Sequence, residues 1–347
     1  MTETATKNLP IEKIVNDILA TIDREREREI VSRRYGLFDR KETLEQIGEL
    51  LGITRERVRQ LEKAVVIRLK AQAEAGELPH LSEVQTTLVD TINQMGKVAR
   101  IQDLSAKLSK DNTKLDQARV AFLAVLCPEL SVIDDNDHFH HAVGVTVHHD
   151  ENKIKSLVEG LIETIKTHGE PADIKTIAKK AGHTDHEHTQ ALASTSKHLA
   201  TLNDRWGLIK WPMVNPKNIR DKIYVILKEN GKQMHFNEIA EAIKDSDFKR
   251  KDVTTQAIHN ELIKDKRFVL IGRGIYALKE WGYSKGTVAD VISDVLKKAG
   301  EPLHRDEIVK RVLKSRYVKE TTILLNLQGK DQFKRVAKAT YTLAEAE

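Results

Sequence analysis

The sequence holds one cysteine, Cys127, in 347 residues. A single thiol closes no internal disulfide and builds no cysteine zinc site, so the chain reads as intracellular. Aromatic residues are also scarce, at 5%, which favours several small helical cores over one large aromatic-rich core. No apolar run approaches the roughly 20 residues of a membrane span; stretches such as Ala121–Cys127 are far shorter. Met1–Pro10 shows no basic-then-apolar leader. Secreted, membrane-embedded and disulfide-stapled classes are therefore excluded, and a cytoplasmic location is expected.

Catalytic signatures are missing too. There is no phosphate-binding P-loop, no GxGxxG after a strand and no G-x-S-x-G elbow. Gly272-Arg273-Gly274 reads as a hairpin turn and Asp134-Asp135-Asn136-Asp137 as an acidic turn. Cys127, in an apolar run before Pro128, reads as a buried small hydrophobe. Histidines gather at His138, His140, His141, His148 and His149, and again at His183, His186 and His188 in GHTDHEH. The latter spacing is not that of a helical metal-ligand pair, and GHTDHEH falls where a polar surface loop is expected. The expectation is a chain that is not an enzyme, with no metal, no cofactor, no membrane partner and no small-molecule substrate.

What is present is charge, unevenly placed. The net charge is +5. Residues 1–76 carry 15 basic and 14 acidic side chains, residues 77–212 carry 15 and 19, and residues 213–347 carry 27 and 19. The C-terminal part, at +8, is the electrostatic candidate for a polyanion, and the middle, at −4, is not.

An internal repeat organises the chain. Four segments share a helical stretch, a glycine, and an apolar residue eight positions later that opens a second helix: Gly96 with Leu104, Gly169 with Ile177, Gly231 with Ile239, Gly300 with Ile308. The glycines lie 73, 62 and 69 residues apart, the spacing of small domains and not of a solenoid. Phe268 precedes Tyr276 by eight, as Phe333 precedes Tyr341, each pair reading as two short strands around a turn. Three helices followed by a hairpin is the order of a winged helix. Leu130–Val147 and Trp206–Trp211 close the first two repeats and fit a wing less well.

Residues 9–75 carry the sharpest local signal. Thr43-Leu44-Glu45-Gln46 has the capping-box pattern that starts a helix. Leu44, Ile47 and Leu50 are expected to form its apolar face, and Gly52 ends it after two turns. Thr54 is the expected N-cap of the next helix, in which Val58, Leu61, Val65 and Leu69 recur at helical spacing and face inward. Arg55, Glu56, Arg59 and Gln60 share the opposite, outward face. This is the helix-turn-helix order, whose second helix offers its N-terminal residues to base edges. Arginine suits guanine, glutamine adenine and glutamate cytosine.

The stretch RRYGL…TLEQIGELLGITRERVRQLEKAV closely resembles region 4 of bacterial sigma-70 factors, the module that reads the promoter −35 element, over residues 17–75. The resemblance implies base reading by Arg55, Glu56, Arg59 and Gln60, with Arg57, Thr43, Leu44 and Arg34 near phosphates. It also implies two partners, promoter-like double-stranded DNA and the β-flap of core RNA polymerase. Glu62-Lys63-Ala64-Val65-Val66 departs from the family's usual E-A-K-A-L and moves the lysine by one position. Nothing before residue 17 resembles the sigma region that grips the polymerase and melts the −10 element, so the expectation is a sigma-related regulator and not an initiating factor. Residues 216–283, with Arg267-Phe268 through Gly274-x-Tyr276 to Trp281-Gly282, resemble the HARE helix-turn-helix domain, a winged module of proteins that bind DNA or transcription machinery. There the candidate DNA contacts are Lys249, Arg250 and Lys251 before the third helix and Arg273 at the wing tip.

The expected fold is mainly α: a helix-turn-helix (1–76) followed by tandem winged-helix-like units with short β-hairpin wings at 77–150, 151–213, 214–283 (HARE-type) and 284–347. The linkers near Gly76–Ser82, His148–Asn152, Pro212–Pro216 and Gly282–Gly286 are candidate hinges. The leading reading is a DNA-binding transcription regulator. The alternatives are a polymerase-associated scaffold that reads no sequence and an accessory subunit of a DNA modification or restriction system.

Overall fold

The computed structural model describes residues 9–283 and 286–344. Met1–Asn8 and Ser284–Lys285, on which part of the leader and hinge expectations fell, lie outside the described residues. The chain divides into two compact units, Met1–Ile209 and Lys210–Glu347.

The first unit opens with α1 (Ile11–Ala20), α2 (Glu25–Tyr35), α3 (Leu44–Leu51) and α4 (Arg55–Glu74). Then come α5 (Leu81–Gln94), β1 (Val98–Arg100), α6 (Ile101–Leu108), α7 (Lys114–Leu126), β2 (Leu130–Ile133) and β3 (Ala142–Val145). A second copy of that order follows: α8 (Glu151–His168), β4 (Ala172–Asp173), α9 (Ile174–Ala181), α10 (His186–Thr195), β5 (Leu199–Leu202) and β6 (Arg205–Leu208). The second unit holds two more copies. One is α11 (Ile219–Asn230), β7 (Met234–His235), α12 (Phe236–Asp245), α13 (Thr255–Lys264), β8 (Phe268–Gly272) and β9 (Ile275–Leu278). The other is α14 (Val288–Ala299), β10 (Leu303–His304), α15 (Arg305–Ser315), α16 (Glu320–Gly329), β11 (Phe333–Ala337) and β12 (Thr340–Leu343).

Each copy builds one antiparallel three-stranded sheet in which the last strand is central: β1-β3-β2, β4-β6-β5, β7-β9-β8 and β10-β12-β11. All four are therefore winged-helix-like, the first two included. The second wing is β5–β6, starting at Leu199, well before the stretch the sequence indicated. Its tight turn, Asn203-Asp204, holds both residues at positive φ, the geometry of a two-residue hairpin loop. The residues eight after each repeat glycine, Leu104, Ile177, Ile239 and Ile308, are all core. Gly169, Gly231 and Gly300 end their helices in the left-handed conformation, with φ of 82°, 69° and 68°.

Two cores meet along α4. Its first half joins a small cluster of Ile30, Ile47 and Val58, with Leu44, Leu51, Ile53 and Leu61 packed against it. Leu50 does not share the apolar face expected of it: it is 55% exposed, and Leu51 takes the inward position. The second half of α4 contributes Val65 and Leu69 to a larger core that also holds Phe122 and Leu123 of α7. The first winged unit thus packs directly on the N-terminal helices.

That packing consumes the third helix of the first two winged copies. In α7, Arg119 through Ala124 and Leu126 are buried, because α7 is wedged among α1, α2, α4, α5 and α6. In α10, six residues from His188 to Thr195 are buried, against α8, α9 and β1 of the preceding copy. By contrast α13 buries only Ile258 and Leu262, and α16 only Ile323 and Leu327.

Candidate nucleic-acid interface

The N-terminal site is built by two capped helices and a tight turn. Thr43 and Gln46 form a reciprocal capping box: Thr43 N donates to Gln46 Oε1 at 2.9 Å and Gln46 N to Thr43 Oγ1 at 3.3 Å. At the other end of α3, Arg26 Nη2 donates to Leu51 O, placing a cation on the negative end of the helix dipole. Gly52 turns the chain at φ 64°, and Ile53 N donates back to Gly48 O at 2.9 Å. A Cβ on Gly48 would lie 2.7 Å from Ile53 O, so the turn requires a glycine inside α3 as well as after it. Thr54 Oγ1 then accepts from Arg57 N at 3.2 Å and starts α4.

The first two turns of α4 present Arg55, Glu56, Arg57, Arg59 and Gln60, all exposed, around the buried Val58. Glu56, Arg57, Arg59 and Gln60 form one network. Arg59 forks onto Glu56 through Nε to Oε2 (2.9 Å) and Nη2 to Oε1 (2.6 Å). Gln60 Nε2 donates to Glu56 Oε1 and Arg57 Nη1 to Gln60 Oε1, both at 3.4 Å. Arg55 reaches across the turn to Glu45 at 2.6 Å. The Arg59 hydrogen bonds hold the Glu56 carboxyl below its usual range, and Glu56 in turn raises the Arg59 guanidinium. Both groups are ionised at neutral pH, so the face combines cations, one acceptor and one amide, held in register by their mutual contacts. Thr43 is exposed and Leu44 half-buried at the start of α3. Arg34 is half-buried on α2 and donates to Glu42 O at 3.4 Å. Glu45, which holds Arg55, carried no signal in the sequence, since its role depends on the turn folding α3 back toward α4.

The site is braced from behind. Glu27, 7% exposed on α2, accepts from Arg68 of α4 at 2.8 Å and from Arg24 at 3.3 Å. Arg68 is the main reason its carboxyl is held below the ordinary range.

The C-terminal candidates sit differently from one another. Lys249 and Arg250 are exposed, but their carbonyls accept from the buried Lys222 Nζ at 2.8 and 2.6 Å, which fixes the loop and holds Arg250 at φ 58°. Lys251 is half-buried, and Arg273 is exposed at the wing turn. Sequence reasoning passed over the outward face of α13, where Gln256 and Asn260 are exposed and Ile263 is 64% exposed.

One feature singled out in the sequence took another form. GHTDHEH is not a surface loop throughout: Asp185 caps α10, and His188 is 9% exposed with Nδ1 against Gly96 O at 2.7 Å. His149 Nε2 meets His188 Nε2 at 3.0 Å. Among the described residues no group of three or more His, Cys, Asp or Glu could hold a metal ion. Cys127 is buried, as its apolar setting implied.

Fold and site together define a helix-turn-helix protein extended by tandem winged-helix-like units. Residues 24–71 match the family model of sigma-70, region 4. A segment of the chain is similar to sigma factor SigA1 of Synechococcus elongatus, with 43% identity over 65 residues, 18% of this chain and 16% of that protein. It is similar to SigA of Synechocystis sp., at 45% over 65 residues, 18% of this chain and 15% of that one. The principal sigma factor HrdC of Streptomyces coelicolor is 55% identical over 47 residues, 13% of this chain and 14% of that one. The chain thus spans about a sixth or less of these relatives, and residues 216–283 lie beyond the matched span. No helix among the described residues is long and apolar enough to cross a membrane.

Proposed function

We propose that the chain is a DNA-binding transcription regulator related to sigma factors, non-catalytic and nucleoid-associated in the cytoplasm. Its N-terminal helix-turn-helix reads a −35-like promoter sequence through Arg55, Glu56, Arg59 and Gln60, with Arg57, Thr43, Leu44 and Arg34 toward phosphates, while the same module contacts the polymerase β-flap. The observation that carries this reading is the Thr54-capped start of α4: outward arginines, glutamate and glutamine lie over a buried Val58, within the segment that matches sigma-70 region 4. The module bounds 1–76, 77–150, 151–213, 214–283 and 284–347, and a HARE-type character for the fourth, belong to this proposal.

The DNA contacts beyond the N-terminal module fall to the last two winged copies. Their third helices keep free outward faces, and residues 213–347 carry the basic excess. Lys249, Arg250, Lys251 and Arg273 are the contacts proposed there. Residues 77–209 act as a protein scaffold, a reading favoured by the burial of α7 and α10 and by the acidic balance of that segment.

The test is selection of bound sequences from a random duplex pool by the whole protein and by an Arg59→Ala/Gln60→Ala variant. An enriched −35-like motif, weakened by about 1–3 kcal/mol in the variant, is expected. A flat selection at moderate salt, with polymerase capture intact, would replace sequence reading by the scaffold role for the whole chain.

A further inference from the structure

A cleft of about 950 Å³ lies between the N-terminal helices and the first winged copy, within one compact unit. Its walls come from α2 and the loop after it, from α4, from the start of α6 and one side of α7, and from the loop between β2 and β3. The volume falls in the roughly 300–1,000 Å³ range of small-molecule sites. It equals a cube about 10 Å on edge, too small for duplex DNA, whose major groove alone is about 12 Å wide.

The lining is chemically mixed in a specific way. Lys41, Lys70 and Lys114 surround the cleft, and their ammonium groups take part in no hydrogen bond or ion pair among the described residues. All three are exposed. The start of α6 also borders the cleft, where Ile101 N donates to His141 O at 2.9 Å and Asp103 engages Arg100 at 2.6 Å. His141 lines the cleft with its Nε2 buried and unpartnered. The cleft also has flat, apolar surfaces: Tyr35, set edge-on to Phe122 at 5.0 Å, and Phe38, which is 44% exposed with the Arg119 guanidinium over its ring at 5.7 Å. Asp134, in no ion pair among the described residues, adds an acceptor.

We propose that this cleft binds a nucleoside phosphate. The three lysines take the phosphates, Tyr35 and Phe38 take the face of the base, and Asp134 accepts from its amino or hydroxyl groups. The ligand would bridge α4 to the first winged copy, and Lys41 lies two residues from the Thr43 cap of α3. The inference does not rest on DNA binding, and its test contains no DNA.

The probe is a fluorescent N-methylanthraniloyl ATP, followed by anisotropy with the whole protein at about 0.15 M salt, where exposed charges are screened beyond about 8 Å. Saturable binding displaced by unlabelled ATP is expected. A Lys41→Ala/Lys114→Ala variant is expected to weaken it about a hundredfold, near tenfold for each lost charge-assisted contact. A charge-matched control, Lys166→Ala/Lys179→Ala, alters residues outside the cleft and is expected to bind as the wild type does. Inorganic pyrophosphate is expected to compete more weakly than ATP, because it leaves Tyr35 and Phe38 uncovered. No saturable signal up to about 1 mM probe, or equal loss in the control, would overturn the proposal. Thermal melting of each variant separates lost binding from lost folding.

Discussion

Gly48 and Gly160 both lie inside helices, yet the same replacement by alanine should move stability in opposite directions. Gly160 sits in the middle of α8, exposed, with nothing within 4 Å of where a Cβ would stand. Alanine there gains only helix propensity, about 1 kcal/mol. At Gly48 the same gain is opposed by a Cβ placed 2.7 Å from Ile53 O. The contact is to backbone, so the turn itself must move. Moving it strains the Ile53 N to Gly48 O bond of 2.9 Å and the Thr54 cap. Those two features are worth about 1 kcal/mol each, and residual overlap adds about 1 kcal/mol more. The expected net is a loss of about 1–2 kcal/mol for Gly48→Ala against a gain of about 1 kcal/mol for Gly160→Ala. Urea unfolding of both variants, read by circular dichroism, measures the difference. If Gly48→Ala proves as stable as the wild type or more so, the turn is not steric in origin and the reasoning fails.

Three further outcomes follow from the same contacts. Arg119, 6% exposed, donates to Leu37 O at 2.9 Å and to Glu12 at 3.0 Å, so Arg119→Ala should destabilise by about 2–4 kcal/mol while Glu12→Gln, at an exposed partner, costs under about 1 kcal/mol; equal effects in urea melts would contradict this. At the junction of α10 with β1, burial pushes both His149 and His188 below the ordinary imidazole range, with Lys97, Lys153, His148 and His183 adding repulsion, while the hydrogen bond to Gly96 O and the charge of Asp185 oppose it at His188. Above pH 6.5 both histidines are neutral folded or unfolded; below it the unfolded chain takes up protons first, so stability should fall as pH drops through that value and the slope should flatten in a His149→Gln/His188→Gln variant. Asp185, held at about 2 by its hydrogen bonds to His188 N and Lys97, adds a second loss as pH falls from the ordinary carboxylate range through about 2. Burial pushes the Cys127 thiol up to about 12, so a maleimide should label it only on unfolding, and rapid stoichiometric labelling of the native protein would show the α7 core to be open.

Local features of the site were readable from the sequence because their causes are local. The Thr43 box, the Gly52 turn, the Thr54 cap and the Val58–Leu69 periodicity each depend on residues within four or five positions. The choice between Leu50 and Leu51 failed because an eight-residue helix offers only two turns to set its face. The β5–β6 hairpin was missed because Asn203-Asp204 makes its turn without the expected glycine. GHTDHEH looked like a loop because its polarity is satisfied across the fold: His188 meets Gly96, and Asp185 meets Lys97 at 2.7 Å. Those partners are some ninety residues away in sequence, a separation that no pattern within one helix reports.

The shared core along α4 sets how this protein can be divided. Cutting after residue 76 would leave Val65 and Leu69 facing water on one fragment and Phe122 and Leu123 on the other. The N-terminal helix-turn-helix therefore travels with its neighbours: a swap between relatives, or a fragment for crystallisation, has its natural seam at Ile209. A mutation deep in α7 can then disturb α4 without touching any residue that faces outward from it.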